Sequence, residues 1–178
     1  KVNCGISIVR SGNCIGGGDW TKDRIIKDCA ESFAKNKRLI IRSPNATRPW
    51  QHVLDPIFGY LKLSKKNFNS RKFNGAWNFG PNLKNNLKVK KIILIGKKIF
   101  NSNSKIYLKK RKFYESENLA LDSSKAKKLL NWTTKVSDKK SLNMTFEWYK
   151  LFYKSKNKND LLNLSSNQIK FFKSKHKI

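Results

Sequence analysis

Asn45-Ala46-Thr47-Arg48-Pro49-Trp50-Gln51-His52-Val53-Leu54-Asp55-Pro56 stands apart from the rest of the chain. Lysine carries most of the positive charge elsewhere, yet this stretch holds one arginine and no lysine. A guanidinium fork pairs two phosphate oxygens at once, which a lysine point charge does not. Pro49 fixes the backbone beside Arg48, and Trp50 adds a large, stiff apolar body. The stretch reads as a pre-set anion clamp. It follows a short strand-like run, Leu39 to Arg42, and precedes a helix that Asp55-Pro56 opens and that runs to about Lys66. Proline costs nothing at a first helical position, where its missing N–H would have had no partner. The competing reading is a strand end carrying a surface arginine.

Outward from the clamp, strand-like and helix-like runs alternate. Gly5 to Arg10 reads as a short buried strand entering Ser11-Gly12-Asn13 and Gly16-Gly17-Gly18. Glycines let a backbone approach a ligand closely, so this run is a weak phosphate-loop signal, and a tight strand-to-helix turn explains it as well. It is neither Gly-x-Gly-x-x-Gly nor a P-loop. A helix from Asp23 to about Asn36 buries Ile25, Ile26, Cys29, Ala30 and Phe33, with Asp23 as its cap. Trp77 to Gly80 is a strand. Val89 to Phe100 is a helix with a core face of Val89, Ile92, Ile93, Ile95 and Ile99. Asn101 to Ser104 turns into a strand over Lys105 to Leu108. Leu119 to Ala126 reads as a strand ending in a helix cap, with that helix stopping before Trp132. A last long helix spans Ser137 to Tyr153, burying Leu142, Phe146, Tyr149 and Leu151. Beyond Lys154 the lysine-rich chain reads as a loosely ordered tail. Such alternation predicts an α/β fold.

With 178 residues, 38% hydrophobic and 12% aromatic, the chain is long enough for a sizeable core. The net charge of +29 invites a nucleic-acid-binding module, the runner-up reading. Two features argue against it. Only seven of the 40 cations are arginine, the residue that best fits base edges and phosphates, and the lysines form no single tract. The charge reads as solvated surface. Cys4, Cys14 and Cys29 lack metal-type spacing and read as small core residues of a reducing compartment, so no metal is expected. No apolar run approaches the roughly 18 residues that span a bilayer, and no signal peptide opens the chain. The expectation is a cytoplasmic protein without a membrane partner. The first residue is not methionine, and the strand pattern begins at once, as in the tail of something longer.

Four segments stand in a telling order: Arg10-Ser11-Gly12-Asn13-Cys14-Ile15-Gly16-Gly17-Gly18-Asp19-Trp20, Asp23-Arg24-Ile25-Ile26, the clamp, and Gly75-Ala76-Trp77-Asn78-Phe79-Gly80-Pro81. From about residue 5 to about residue 150 the chain resembles the CDP-glucose 4,6-dehydratases, of the extended short-chain dehydrogenase/reductase superfamily. The resemblance implies the last strands of a Rossmann-type parallel sheet joined to the smaller α/β substrate-binding lobe. Residues 1–18 would be the end of the sheet and its glycine loop, and 19–73 the lobe through the clamp. Residues 74–100 would return a strand and helix, 101–153 complete the lobe, and 154–178 form the tail.

The resemblance further implies a bound CDP-sugar, with Asn13, Arg24, Ile25, Ile26, Arg48 and Asn82 as substrate contacts. Trp50 and His52 are candidates for support. Trp50 could pack on a ring or fill the core. His52 could act as a base or orient its loop. Glu115 aligns with an acidic position of the family. The dehydratases oxidise C4 of the sugar with NAD, eliminate water across C5 and C6, and return hydride to C6. Their Tyr-x-x-x-Lys pair and NAD glycine fingerprint lie on the amino-terminal side, and this chain has neither in a matching position. No catalytic residue is therefore expected here, and the isolated chain is expected to be inactive. NAD would be bound mainly by an amino-terminal half, whose helices would also mediate a homodimer. A related epimerase or dehydratase of other base specificity, and a broken remnant, remain open.

Overall fold

The computed structural model describes residues 5–81, 87–109 and 118–177. Three short parallel strand pairs organise it. β1 (Ser7–Ser11) pairs with β5 (Gly75–Phe79), β2 (Asn13–Ile15) with β4 (Trp50–His52), and β3 (Leu39–Ile41) with β6 (Ile106–Leu108). The helices are α1 (Ile25–Ala34), α2 (Leu54–Asn69), α3 (Val89–Phe100), α4 (Ser124–Leu130), α5 (Asp138–Lys154) and α6 (Lys158–His176). Strands alternating with helices, and every pair parallel, give the expected α/β class.

Gly12 is where the chain leaves the β1/β5 pair for the β2/β4 pair. A Cβ there would lie 2.4 Å from the Pro49 carbonyl oxygen, so only glycine allows the crossing. The two pairs are fastened at the Phe79 carbonyl, which accepts from the Gly12 N–H at 3.2 Å and from Gln51 Nε2 at 2.7 Å. The main core joins α1, α3 and α5 through Cys29, Ala30, Phe33, Ile92, Ile93 and Phe146. In α3 the helix bounds coincide with the apolar stripe; Val89, Ile92 and Ile93 are buried, whereas Ile95 and Ile99 pack at the edge. A second core stacks Trp77, Phe79 and Trp132 beneath α2 and α4.

Besides the first strand, expected to be buried but with Ile8 62% and Val9 37% exposed, three expectations are corrected. Asp23 does not cap α1: it stands in the left-handed region with φ 61, and Arg24 occupies the cap without a side-chain bond. The run from Leu119 to Asp122 forms no strand. It is tied to β5 by side chains, Asn78 Nδ2 donating to the Asp122 carbonyl and the Gly80 N–H to Ser123 Oγ.

The third correction is the largest. The segment after Lys154 is no loose tail but a helix of 19 residues capped by Asn157, whose side chain accepts from the Asn159 N–H. Its buried stripe is Gln168, Phe172 and His176, one residue per turn. Two of the three are polar, which is why apolar periodicity did not announce it. Gln168 Nε2 donates to the Met144 carbonyl, and Phe172 is fully buried beside Phe58 and Met144. His176 Nε2 meets Asp55 Oδ1 at 2.9 Å. Among the described residues no helix is long and apolar enough to cross a membrane.

Candidate functional site

A cleft of about 1080 Å³ opens where β2, β3, the loop ahead of β4 and the start of α1 converge. A space of that size admits a small organic molecule rather than only a single ion. Asn13, Arg24, Ile25, Ile26, Arg48 and Trp50 all line it, although the sequence scatters them over three segments. The parallel register sets Asn13 opposite Trp50 and places Arg48 just ahead of the pair. Asn82 and Glu115 lie outside the described residues.

The walls carry Arg24, Lys27, Arg42, Arg48 and Lys109 against Asp19, Asp23 and Asp28, a balance that favours an anion. Arg48 is half-buried, and its Nη1 donates to the Thr47 carbonyl at 2.8 Å, which braces the side chain. At the start of α1 the first-turn amides have no intrahelical partner and form the positive end of the helix dipole. Arg24 stands beside them, 4.0 Å from Asp19. Burial is the largest influence on the Asp28 carboxyl and raises it, with Lys27 pulling the other way.

Trp50 takes the core role. It is 5% exposed, and its indole N–H reaches the Leu87 carbonyl at 3.3 Å. His52 lies away from the cleft. It is buried, stacks on Phe172 at 4.7 Å, and its Nδ1 accepts from the Leu54 N–H. Burial pushes this imidazole down to about 4, with Gln168 opposing weakly. A neutral ring locked in the core holds the β4–α2 turn and has no reach to a ligand in the cleft.

Sequence reading missed Arg42 and Tyr149, both on the cleft wall. The Tyr149 hydroxyl donates to the Asp19 carbonyl at 2.7 Å, fixing the loop behind the glycines. Burial, then the Asp19 charge, pushes this phenol up to about 12, so it stays a neutral donor. Nothing in the local sequence marks either residue, because each acts through a partner distant along the chain.

The triple glycine does not form an open phosphate cradle. A Cβ at Gly17 would lie 2.0 Å from the Trp148 ring, so the close approach that requires glycine is to an indole. The glycine run thus offers no open dinucleotide phosphate cradle, and it does not carry the dinucleotide glycine fingerprint.

No family model matches the chain. Over 172 residues, 96% of its length, it is 35% identical to CDP-glucose 4,6-dehydratase of Salmonella typhimurium. This chain is a homologue of that dehydratase. It spans about half of the relative's length, 47%. Among solved structures, UDP-glucose 4-epimerase of Thermotoga maritima with UDP-glucose superposes with a TM-score of 0.70 at 20% identity. That match covers 82% of this chain and 46% of the epimerase. The dTDP-glucose 4,6-dehydratase of Bacillus anthracis, in complex with NAD, gives 0.69 at 18% identity, covering 89% and 47%. These likenesses establish the fold as that of the Rossmann-type extended short-chain dehydrogenase/reductases.

Proposed function

We propose that this chain is the carboxy-terminal, nucleotide-sugar-binding part of an NAD-dependent CDP-glucose 4,6-dehydratase, supplying the substrate clamp but not the reacting groups. The observation that carries the reading is the gathering of Asn13, Arg24, Ile25, Ile26 and Arg48 onto one basic cleft. In this reading Arg48 pairs with the diphosphate, each charge-assisted bond contributing about 1.5–3 kcal/mol. Asn13 donates its amide to a phosphate or sugar oxygen. The α1 amides and Arg24 add positive potential, and Ile25 and Ile26 cover the nucleotide.

NAD belongs to residues outside this chain, which supply the hydride chemistry together with the tyrosine–lysine pair. The β1/β5 pair leaves room for such a complement: Ile8 of β1 and Ile6 just ahead of it are 62% and 71% exposed, an apolar face that a further layer would cover. The working unit is then a dimer of complete subunits in the cytoplasm, without specific nucleic-acid or membrane partners.

Titration with CDP at rising salt tests the binding role. Saturable binding that survives moderate salt and is lost in Arg48→Ala is expected. Affinity that collapses steeply with salt and ignores Arg48→Ala would instead favour a polyanion-binding module. Turnover of CDP-glucose is expected only when an amino-terminal half of a dehydratase is added; turnover by the chain alone would overturn the division of labour.

A further inference from the structure

At the α1/β3 end of the cleft, Arg42 Nη2 donates to Asp23 Oδ1 at 2.8 Å, and both residues line the cavity. They come from different elements. Arg42 leaves the end of β3, and Asp23 precedes α1 in the left-handed region, which aspartate tolerates better than most residues. Their contact uses one of five guanidinium N–H groups and one carboxylate oxygen. Neither side chain makes another hydrogen bond among the described residues. What remains is a fork of donors beside a single acceptor, held in fixed relation by the ion pair. Ile25, Ile26 and Ile40 line the same cavity, with Ile40 half exposed. A diphosphate gains nothing from three isoleucines. A flat heterocycle gains walls for its faces and a polar edge to read.

We infer that Arg42 and Asp23 recognise the edge of a cytosine ring and so set the base preference of the site. The inference rests on the proposed nucleotide-binding role. Cytosine presents O2 and N3 as acceptors beside the N4 amine as donor. The guanidinium fork donates to O2 and N3 while the carboxylate accepts from N4, as acidic side chains do with this amine elsewhere. Uracil and thymine keep O2 but replace the other two groups with N3–H and O4. Their donor then faces the guanidinium and their acceptor faces the carboxylate. Opposed groups of that kind reject the wrong base more strongly than a missing contact does.

The test is calorimetric titration of the full chain with CDP and with UDP at fixed salt. CDP is expected to bind on the order of tenfold more tightly than UDP, the discrimination one well-placed polar pair supplies. Asp23→Asn replaces the acceptor with an amide that donates to uracil O4, and is expected to erase or reverse the ratio. Arg42→Ala should weaken CDP about tenfold and barely change UDP. Arg48→Ala should weaken both alike. Arg42 and Asp23 have side chains 60% and 78% exposed, so both variants retain the fold, which circular dichroism checks. Equal affinity for CDP and UDP, still dependent on Arg48, would overturn the base assignment and leave the cleft reading standing. A CDP preference unchanged in both variants would overturn the role of this pair. Failure of the wild-type chain to bind either nucleotide would overturn both readings.

Discussion

Arg48 lines an open cleft from the loop ahead of β4, whereas Asp55, on the far side of the same strand, is wholly enclosed. Asp55 Oδ1 meets the Lys135 N–H at 2.8 Å and His176 Nε2 at 2.9 Å, and its carbonyl accepts from the Trp132 indole. Between the two, Gln51 fastens the strand to β5 and His52 stacks on α6. One short stretch of sequence thus lines the cleft at its amino end and holds the fold at its carboxyl end. The same residue types carry different physics on the two sides. A charge on the wall of an open cleft stays within reach of water and of an incoming anion; a charge taken out of water has to be matched by fixed partners.

The sharpest way to break that contrast is Asp55→Ala. It strips partners from the Lys135 amide and from His176 inside the core. We expect a loss of about 3–5 kcal/mol of folding stability, measured by urea unfolding, with any surviving protein still binding CDP. Acid tests the same side. His52 is held neutral down to about 4, while an unfolded histidine takes a proton near 6.5. The unfolded chain therefore binds more protons across that interval. Stability from this ring is complete above about pH 6.5, falls as pH drops toward 4, and then levels off, for a total of about 3 kcal/mol. Unfolding midpoints recorded against pH should show this slope, and His52→Gln should flatten it.

On the ligand side, Arg48→Ala is expected to cost about 2 kcal/mol of CDP affinity, a loss of roughly thirtyfold, with little change in the thermal midpoint. A large fall in stability would place Arg48 with Asp55 and dissolve the comparison. The smallest effect belongs to the outer surface. Hydrogen bonds from Lys35, then Lys27, draw the Glu31 carboxyl down to about 2, yet the carboxylate is 36% exposed and screened by water and salt. Glu31→Gln should change stability by no more than about 0.5 kcal/mol in a denaturant titration.

The ligand side of this contrast was the more legible in sequence. Arg48 stood out because its surroundings lack lysine, and α3 because five branched apolar residues recur on one face. The structural side was harder to read. Asp55 looked like a helix opener, since its partners Lys135 and His176 come far later in the chain. The α6 segment looked disordered because its buried stripe is two-thirds polar, and a glutamine or histidine signals burial only once its partner is known. Arg42 was overlooked for the same reason: its partner, Asp23, lies 19 positions earlier in the chain and stands in the left-handed region. Pattern reading finds faces that repulsion from water defines, and it misses contacts that depend on where another segment arrives.

The Asp55–His176 contact spans 121 positions of sequence. A carboxylate destined for burial must therefore stay hydrated through most of the chain's conformational search, because closing so long a loop is slow and entropically unfavourable. The pocket between α2 and α6 would seal late in folding and reopen early in unfolding. Protection of α6 amides against hydrogen exchange should accordingly lag behind that of α1 and α3 during refolding.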